Sequence, residues 1–349
     1  MKEITKYKEL MSTEIAKSFS YYLNDESMKN RMFSVLKESD IVVIVATGFS
    51  LVAARFLRLI LREIGIYNVF VTTPLEYIYY VSNNLFEKKE NITVVIISYG
   101  SKNIDITNVV NDIARKKQHY NLSIFTANTK SNTSHAILNL GGIVIKVNNT
   151  ILDRGFVSTY GLLSTIATMI SVLNKYVNNK NITSFFSRKN IKNRLEIYDY
   201  TISNEILSEL LLSDILISLG SYWTLIPAFD LQLKLVEGGL MPTLLFELKD
   251  FTHGKYMLST RRRIGIIVFS DNRINDIINH IHNLISKNEI PILSLKTWHD
   301  KLLGVVDLML GSTILLLKLS DLSNINVLRP KYIPLWGRNL YRYNIRRKK

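Results

Sequence analysis

The chain has no cysteine, which excludes disulfides, thiolate zinc sites and a cysteine nucleophile together. It also lacks an opening segment that combines a basic stretch, a long apolar run and a small-residue cleavage site. The N-terminus reads MKEITKYKELMSTEIAKSF, a charge-rich amphipathic helix, so no export leader is expected and the protein is read as cytoplasmic. Long apolar runs are scarce as well. Those at 41–46 and 314–317 are strand-length and bounded by charge or glycine, short of the roughly 20 residues a bilayer requires. No membrane span is therefore expected. There is no Walker-type lysine loop either, so any phosphate must be held by other means.

What is present is a chain of 349 residues, 47% of them apolar, enough for two compact domains with separate cores. The net charge of +15 invites a nucleic-acid reading. The basic residues are spread along the chain, and only the tail RYNIRRKK is dense, so a nucleic-acid partner is not expected. A basic protein steers anionic metabolites toward its clefts equally well.

Unalternating β-branched runs recur at 41–46, 93–98, 122–127 and 142–147, the pattern of strands buried on both faces of a parallel sheet. Amphipathic segments at 52–63 and 106–117 separate them, giving the β-α-β-α rhythm of an α/β doubly wound fold. The rhythm returns with runs at 214–220, 265–270, 291–295 and 313–319, which are read as strands too. The interval from Gly48 to Ser98 equals that from Gly220 to Ser270, and each serine ends a strand and opens a helix, so the second half reads as a repeat of the first. A polar, helix-prone stretch at 178–212 separates the halves, and the domains are placed at 1–195 and 196–349.

In an open parallel sheet the binding crevice lies beyond the carboxyl ends of the strands. Two loops meet that description. Thr47-Gly48-Phe49-Ser50 follows the first strand, where glycine admits close backbone approach and serine brings a hydroxyl to a helix start. Ser98-Tyr99-Gly100-Ser101-Lys102-Asn103 is a hydroxyl-rich turn followed by Asp105 and a helix. Together they suit a phosphate, although serine and asparagine in such places commonly serve as plain helix caps.

These loops resemble those of the sugar isomerase (SIS) domain family, whose phosphate loop typically reads Ser-Gln-Ser-Gly-Glu-Thr-x-Asp-Thr and whose first loop reads Gly-Thr-Ser. Gly155-Phe156-Val157-Ser158-Thr159-Tyr160 resembles the Gly-Val-Ala-Ser-Thr-Lys segment of the isomerase half of glucosamine-6-phosphate synthase. Further on, LGSYWTLIPAFDLQLKLVE and DFTHG resemble that enzyme's Leu-Lys-Leu-Lys-Glu and ELKHG stretches, so that Lys234, Glu237, Asp250 and His253 fall on matching positions. The N-terminal LMSTEIAKSF is similar to its Met-x-x-Glu-Ile-x-x-Gln lead-in. The resemblance implies two tandem SIS domains, each a parallel sheet between helical layers. It implies Glu237 as the carboxylate that moves a proton between the first two sugar carbons and His253 as the group that assists ring opening from a neighbouring subunit. Lys234 is implied as a supporting cation, and a homodimer with its site at the subunit interface follows. Phosphate and substrate contacts would come from Gly48, Phe49, Ser50, Ser98, Tyr99, Gly100, Ser101, Asn103, Val157 and Ser158. No cofactor and no metal are implied.

The residues allow the same chemistry on their own terms. Shuttling one proton across an enediol needs a partly buried carboxylate with a raised pKa, and Glu237 lies in a mostly apolar helical segment with Lys234 three residues earlier on the same face. An ordinary intrahelical ion pair explains that spacing equally well. Met241, Phe246 and Phe251 read as core. His280 and His282 stand two apart on a helix, which does not bring both to one face, so no metal site is expected there.

Two features depart from the family pattern. The tail reads Gly337-Arg338-Asn339-Leu340-Tyr341-Arg342 where the family has Pro-Arg-Asn-Leu-Ala-Lys, and Arg342 stays protonated where the lysine helps to open the sugar ring. In the phosphate loop, Gly100 stands where the family has serine and Ser101 where it has glycine. These 349 residues contain no cysteine and no glutaminase domain is read in them, so glutamine-dependent amidotransfer by this chain alone is not expected. The sequence thus points to an isomerase, or a deaminase or deglycase, acting on a 6-phosphorylated ketose or hexosamine. Its alternative is a sugar-phosphate-binding regulator, or an isomerase subunit that partners a separate glutaminase.

Overall fold

The computed structural model describes residues 2–83, 91–116, 120–149, 157–177, 179–327 and 334. They form two compact units. One comprises the described residues of Glu14–Leu152, Tyr160–Asn181 and Tyr332–Lys349, the other those of Met1–Thr13, Asp153–Thr159 and Ile182–Lys331. Arg342, with Gly337 to Tyr341, Gly155 and Phe156, lies outside the described residues.

The helix α1 (Lys2–Ser20) divides at Glu14, its remainder belonging to the first unit, where α2 (Glu26–Lys37), β1 (Ile41–Ala46), α3 (Ser50–Glu63) and β2 (Val69–Thr72) are followed by a turn of helix, Pro74–Glu76, and a π-helical turn, Tyr77–Val81. Then come β3 (Ile92–Ile97), α4 (Ile104–Arg115), β4 (Asn121–Thr126), α5 (Asn132–Asn139), β5 (Ile143–Lys146) and α6 (Tyr160–Leu173). The sheet runs β2-β1-β3-β4-β5, with each neighbouring pair parallel.

Every residue of β1 and β3 is buried, as continuous Val/Ile runs demand when helices cover both faces. Ile41, Val43 and Val45 join Ile92, Val94 and Ile96 against Ile106, Val109, Val110 and Ile113 of α4, with Tyr77 in the same core. The opposite face takes α3, which packs on β1 and β2 and against α6. Its buried stripe is Val52, Ala53, Phe56, Leu57, Ile60 and Leu61. Helices from neighbouring strands therefore leave on opposite faces, which opens a crevice at the carboxyl ends of β1 and β3.

The second unit continues with α7 (Arg188–Thr201), α8 (Asn204–Leu211), β6 (Ile215–Gly220), α9 (Leu225–Glu237) and β7 (Thr243–Glu247). After them come β8 (Ile264–Ser270), α10 (Asn275–Ser286), β9 (Ile292–Lys296) and α11 (Lys301–Leu322). Its sheet is parallel, in the order β7-β6-β8-β9. That is the order β2-β1-β3-β4 again, so the repeat read from spacing is present as topology. Ile217, Leu219, Ile264, Ile266, Val268 and Ile292 pack with Ile278 of α10 and with Leu248 and Phe251. Met241 is buried and Phe246 packs against this core, as expected.

One element corrects the sequence reading. Residues 313–319 form no strand; they belong to α11, whose 22 residues are all helical. A buried helix and a buried strand present the same continuous apolar run, and length together with the leucine content of LMLGSTILLLKL decides for helix. By length and composition α11 could cross a membrane, with a mean hydropathy of 2.0, yet 89% of that window is buried inside the protein. Such an interior helix carries polar groups only where they are satisfied. Asp307, fully buried, accepts two bonds from Arg194 (2.6 and 2.5 Å), one from Thr297 (2.6 Å) and one from Tyr198 (3.2 Å). Strands β2 and β7 lack the continuous apolar signature because they are edge strands covered less completely, with Phe70 and Leu244 exposed.

Candidate functional site

The turn after β1 is shaped by Gly48, whose φ of 55° lies in the left-handed region that glycine enters without strain. The chain then tightens, with the Ser50 N–H donating to Thr47 O (3.2 Å) and the Leu51 N–H to Gly48 O (2.9 Å). The α3 start has no side-chain cap, and the Ser50 hydroxyl has no hydrogen-bond partner among the described residues.

The turn after β3 is clamped to the end of β4. Thr126 Oγ1 donates to Tyr99 O (3.0 Å), the Ala127 N–H donates to the same oxygen (2.9 Å), and Asn128 Nδ2 donates to Gly100 O (3.3 Å). Ser101, with φ of 47°, turns its hydroxyl into the clamp and donates to Thr126 Oγ1 at 2.6 Å. The loop that this turn resembles has glycine there, a residue that enters the left-handed region without strain. Here the bond to Thr126 offsets strain of about 1 kcal/mol for a residue with a Cβ. Asn103 caps α4, its Oδ1 accepting from the Asp105 N–H at 2.8 Å, so the plain cap reading holds for that side chain.

The loop residues thus divide by duty. Ser101 and Asn103 build the turn. Ser98, 8% exposed, keeps a hydroxyl without partner, and the N–H groups of Gly100, Ser101 and Lys102 donate to nothing among the described residues. Two hydroxyls and three amides without a partner among the described residues stand at adjacent strand ends, near the N-termini of α3 and α4, and offer donors of the kind that suit a phosphoryl group. Beside it lies a pocket of about 200 Å³ lined by Thr47, Thr73, Pro74, Leu75, Ile78, Tyr79, Asp105 and Asn108. Burial pushes the Asp105 carboxyl above its ordinary range. Tyr99 is half-buried in the same turn and Phe49 half-buried in the other. Val157 is buried and Ser158 half-buried.

In the second unit Glu237 is the last residue of α9, which ends in a Schellman turn: the Gly239 N–H donates to Val236 O (3.1 Å) and the Leu240 N–H to Leu235 O (3.0 Å). Gly239 provides the left-handed residue with φ of 63°. The Glu237 carboxyl is half-buried, makes no hydrogen bond or ion pair among the described residues, and is pushed by burial up to about 7. A carboxylate near neutrality is the kind of group that both accepts and returns a proton at physiological pH.

This pKa carries a stability consequence. The unfolded value is 4.5, so between there and about 7 the native state binds the extra proton, and stability falls as pH rises through that window. Glu237→Gln should therefore stabilise the protein at pH 8 by about 1–2 kcal/mol, after discounting for partial exposure, and by almost nothing at pH 4.5. Urea melts at the two pH values check this, and an equal effect at both would remove burial as the cause.

Lys234 lies on the same helix, and the carboxylate it pairs with is that of Asp230. It is fully buried, and its Nζ donates to Asp230 Oδ2 (2.6 Å), Thr313 Oγ1 (2.8 Å) and Ser312 Oγ (3.2 Å). Its carboxylate partner stands at i−4 rather than i+3, a spacing that the sequence itself displays. His253 lies exposed on the turn that follows Leu248–Phe251, its backbone N–H donating to Asp250 O (3.1 Å) and Gly254 following at φ of 99°. It is neither a core histidine nor a side-chain cap. His280 and His282 join no cluster capable of holding a metal ion among the described residues.

No protein-family model matches the chain, and no curated protein matches it. Solved structures do. The C-terminal domain of glucosamine-fructose-6-phosphate aminotransferase from Francisella tularensis superposes with a TM-score of 0.67 at 17% identity, covering 94% of this chain and 97% of that one. Glucosamine-6-phosphate deaminase from Thermotoga maritima gives 0.71 at 14% identity, with 95% and 98% covered. Tagatose-6-phosphate ketose/aldose isomerase from Escherichia coli gives 0.73 at 14% identity, with 95% and 97% covered. Identities this low show a shared fold, which extends over nearly the whole chain.

Proposed function

We propose that the chain binds a 6-phosphorylated ketose or hexosamine and moves a proton between its first two carbons, as an isomerase, a deaminase or a deglycase. The donor set of Ser50, Ser98 and the free amides of 100–102 carries this reading, because it offers hydrogen bonds and helix N-termini to an anion without any lysine loop. The fold shared with proteins named for tagatose 6-phosphate and glucosamine 6-phosphate supports it. The base we assign is Glu237, whose carboxyl sits near neutrality. His253 is assigned to ring opening, and with it a homodimer as the active species.

Arg342, where the resembling tail has lysine, favours a second reading in which the chain binds the sugar phosphate without turning it over, as a regulator or as the partner of a separate glutaminase. Both readings require the ligand to stabilise the folded protein. A 6-phosphosugar at a hundred times its Kd should add about 2.7 kcal/mol, which raises Tm by several degrees. Fructose 6-phosphate, glucose 6-phosphate and glucosamine 6-phosphate are the ligands to test by thermal melting. No shift with any of them at millimolar concentration removes both readings.

A further inference from the structure

The pocket beside the two turns has a composition that phosphate binding does not explain. Its walls are Pro74, Leu75, Ile78 and Tyr79, from the short helix and π-helical turn that follow β2, and one face of α4 that bears Asp105 and Asn108. The π-turn, closed by the Ser82 N–H on Tyr77 O, adds a residue to the helix, a device common at functional sites. The Thr73 hydroxyl is already used, accepting from the Glu76 N–H in a capping box. Of the described residues lining the pocket only Asp105 is charged. Its carboxylate pairs with no cation and accepts no hydrogen bond among the described residues. In a chain of net charge +15, a half-buried carboxylate left unpaired in an apolar recess is out of keeping with its surroundings. A helix-dipole role accounts for an acid in the first turn of α4, but such a role is served in open water and does not call for apolar enclosure. Burial raises the Asp105 pKa, the cost a cationic ligand would remove.

We propose that this pocket is a subsite for an aliphatic ammonium group: the carboxylate of Asp105 pairs with the charge, and Leu75, Ile78 and Tyr79 enclose the carbon chain. The ligand held by the neighbouring turns then carries an amine as well as a phosphoryl group. That second clause rests on the function proposed above; the cation subsite does not. Thr47 joins the pocket to the β1 turn and Asp105 stands two residues past Asn103, so one small zwitterion can reach both.

The test uses the full chain and two probes. Isoleucine-methyl NMR spectra titrated with n-butylammonium should show a saturable shift of Ile78 that n-butanol does not produce, that Asp105→Asn abolishes and that Asp105→Glu restores in part. Isothermal titration should then show 1-amino-1-deoxyfructose 6-phosphate binding about tenfold tighter than fructose 6-phosphate, the preference falling to about twofold in Asp105→Asn. An unmoved Ile78, or an Asp105→Asn variant that keeps the full preference, overturns the subsite. Fructose 6-phosphate binding with no gain from the amine overturns the zwitterionic ligand and leaves the proposed function standing. Failure of both phosphosugars beside an intact butylammonium shift removes the proposed function and the zwitterionic ligand with it, while upholding the cation subsite.

Discussion

Glu237→Gln should lower turnover on a 6-phosphosugar by about 10²–10⁴-fold while the rise in Tm with ligand persists. The amide keeps the size of the side chain at the end of α9 and cannot take a proton from carbon. Because Glu237 engages no partner among the described residues and Gly239, not the carboxylate, closes the helix, the exchange should leave the local structure intact. In the wild type, kcat/KM should rise through a carboxyl pKa near 7 as pH increases, since the base must be ionised to act. Product chromatography at fixed pH, beside thermal melts with and without ligand, separates the two halves of the claim. A Glu237→Gln variant with unimpaired turnover ends the role of this residue as base. A variant that has lost both turnover and ligand stabilisation points to a binding role instead.

How far the sequence could be read depended on whether a signal was local. β1, β3 and β8 were legible because a strand covered on both faces must be apolar at every position, and IVVIVA admits few other readings. β2 escaped notice because an edge strand with Phe70 turned to solvent lacks that signature. At 313–319 the signature misled, because a helix enclosed on all sides reads the same way. The turns were legible by order and spacing, but their internal division was not: Ser101 is bound to Thr126, a residue on the next strand, and no pattern within the turn reveals that its hydroxyl is spent. The pocket beside them joins residues from three separate stretches, Thr47, 73–79 and 105–108, which only folding brings together. Asp230, in contrast, stood in plain view at one helical turn from Lys234.

That pair yields the second large effect. Lys234→Met should cost about 3–5 kcal/mol of stability, because it strands the carboxylate of Asp230 in a site with no exposure at all. Asp230 is already strained in this respect: burial raises its pKa against the opposing pull of Lys234 and Ser312, and its Oδ1 has no hydrogen-bond partner among the described residues. Ser312 donates to Asp230 at 2.5 Å and Thr313 accepts from Lys234 at 2.8 Å, so two hydroxyls of α11 engage the pair. Replacing both ions by apolar residues of similar volume, as Asp230→Leu with Lys234→Met, should return stability to within about 1 kcal/mol of wild type. Two further outcomes carry information about chemistry. If the double variant is stable and still turns substrate over, Lys234 is a structural residue that ties α9 to α11, and its match to the family position reflects architecture alone. If the double variant is stable and inactive, the lysine acts on the substrate as well. A Lys234→Met variant that loses less than about 1 kcal/mol in urea melts would show that the pair is not the anchor its geometry describes.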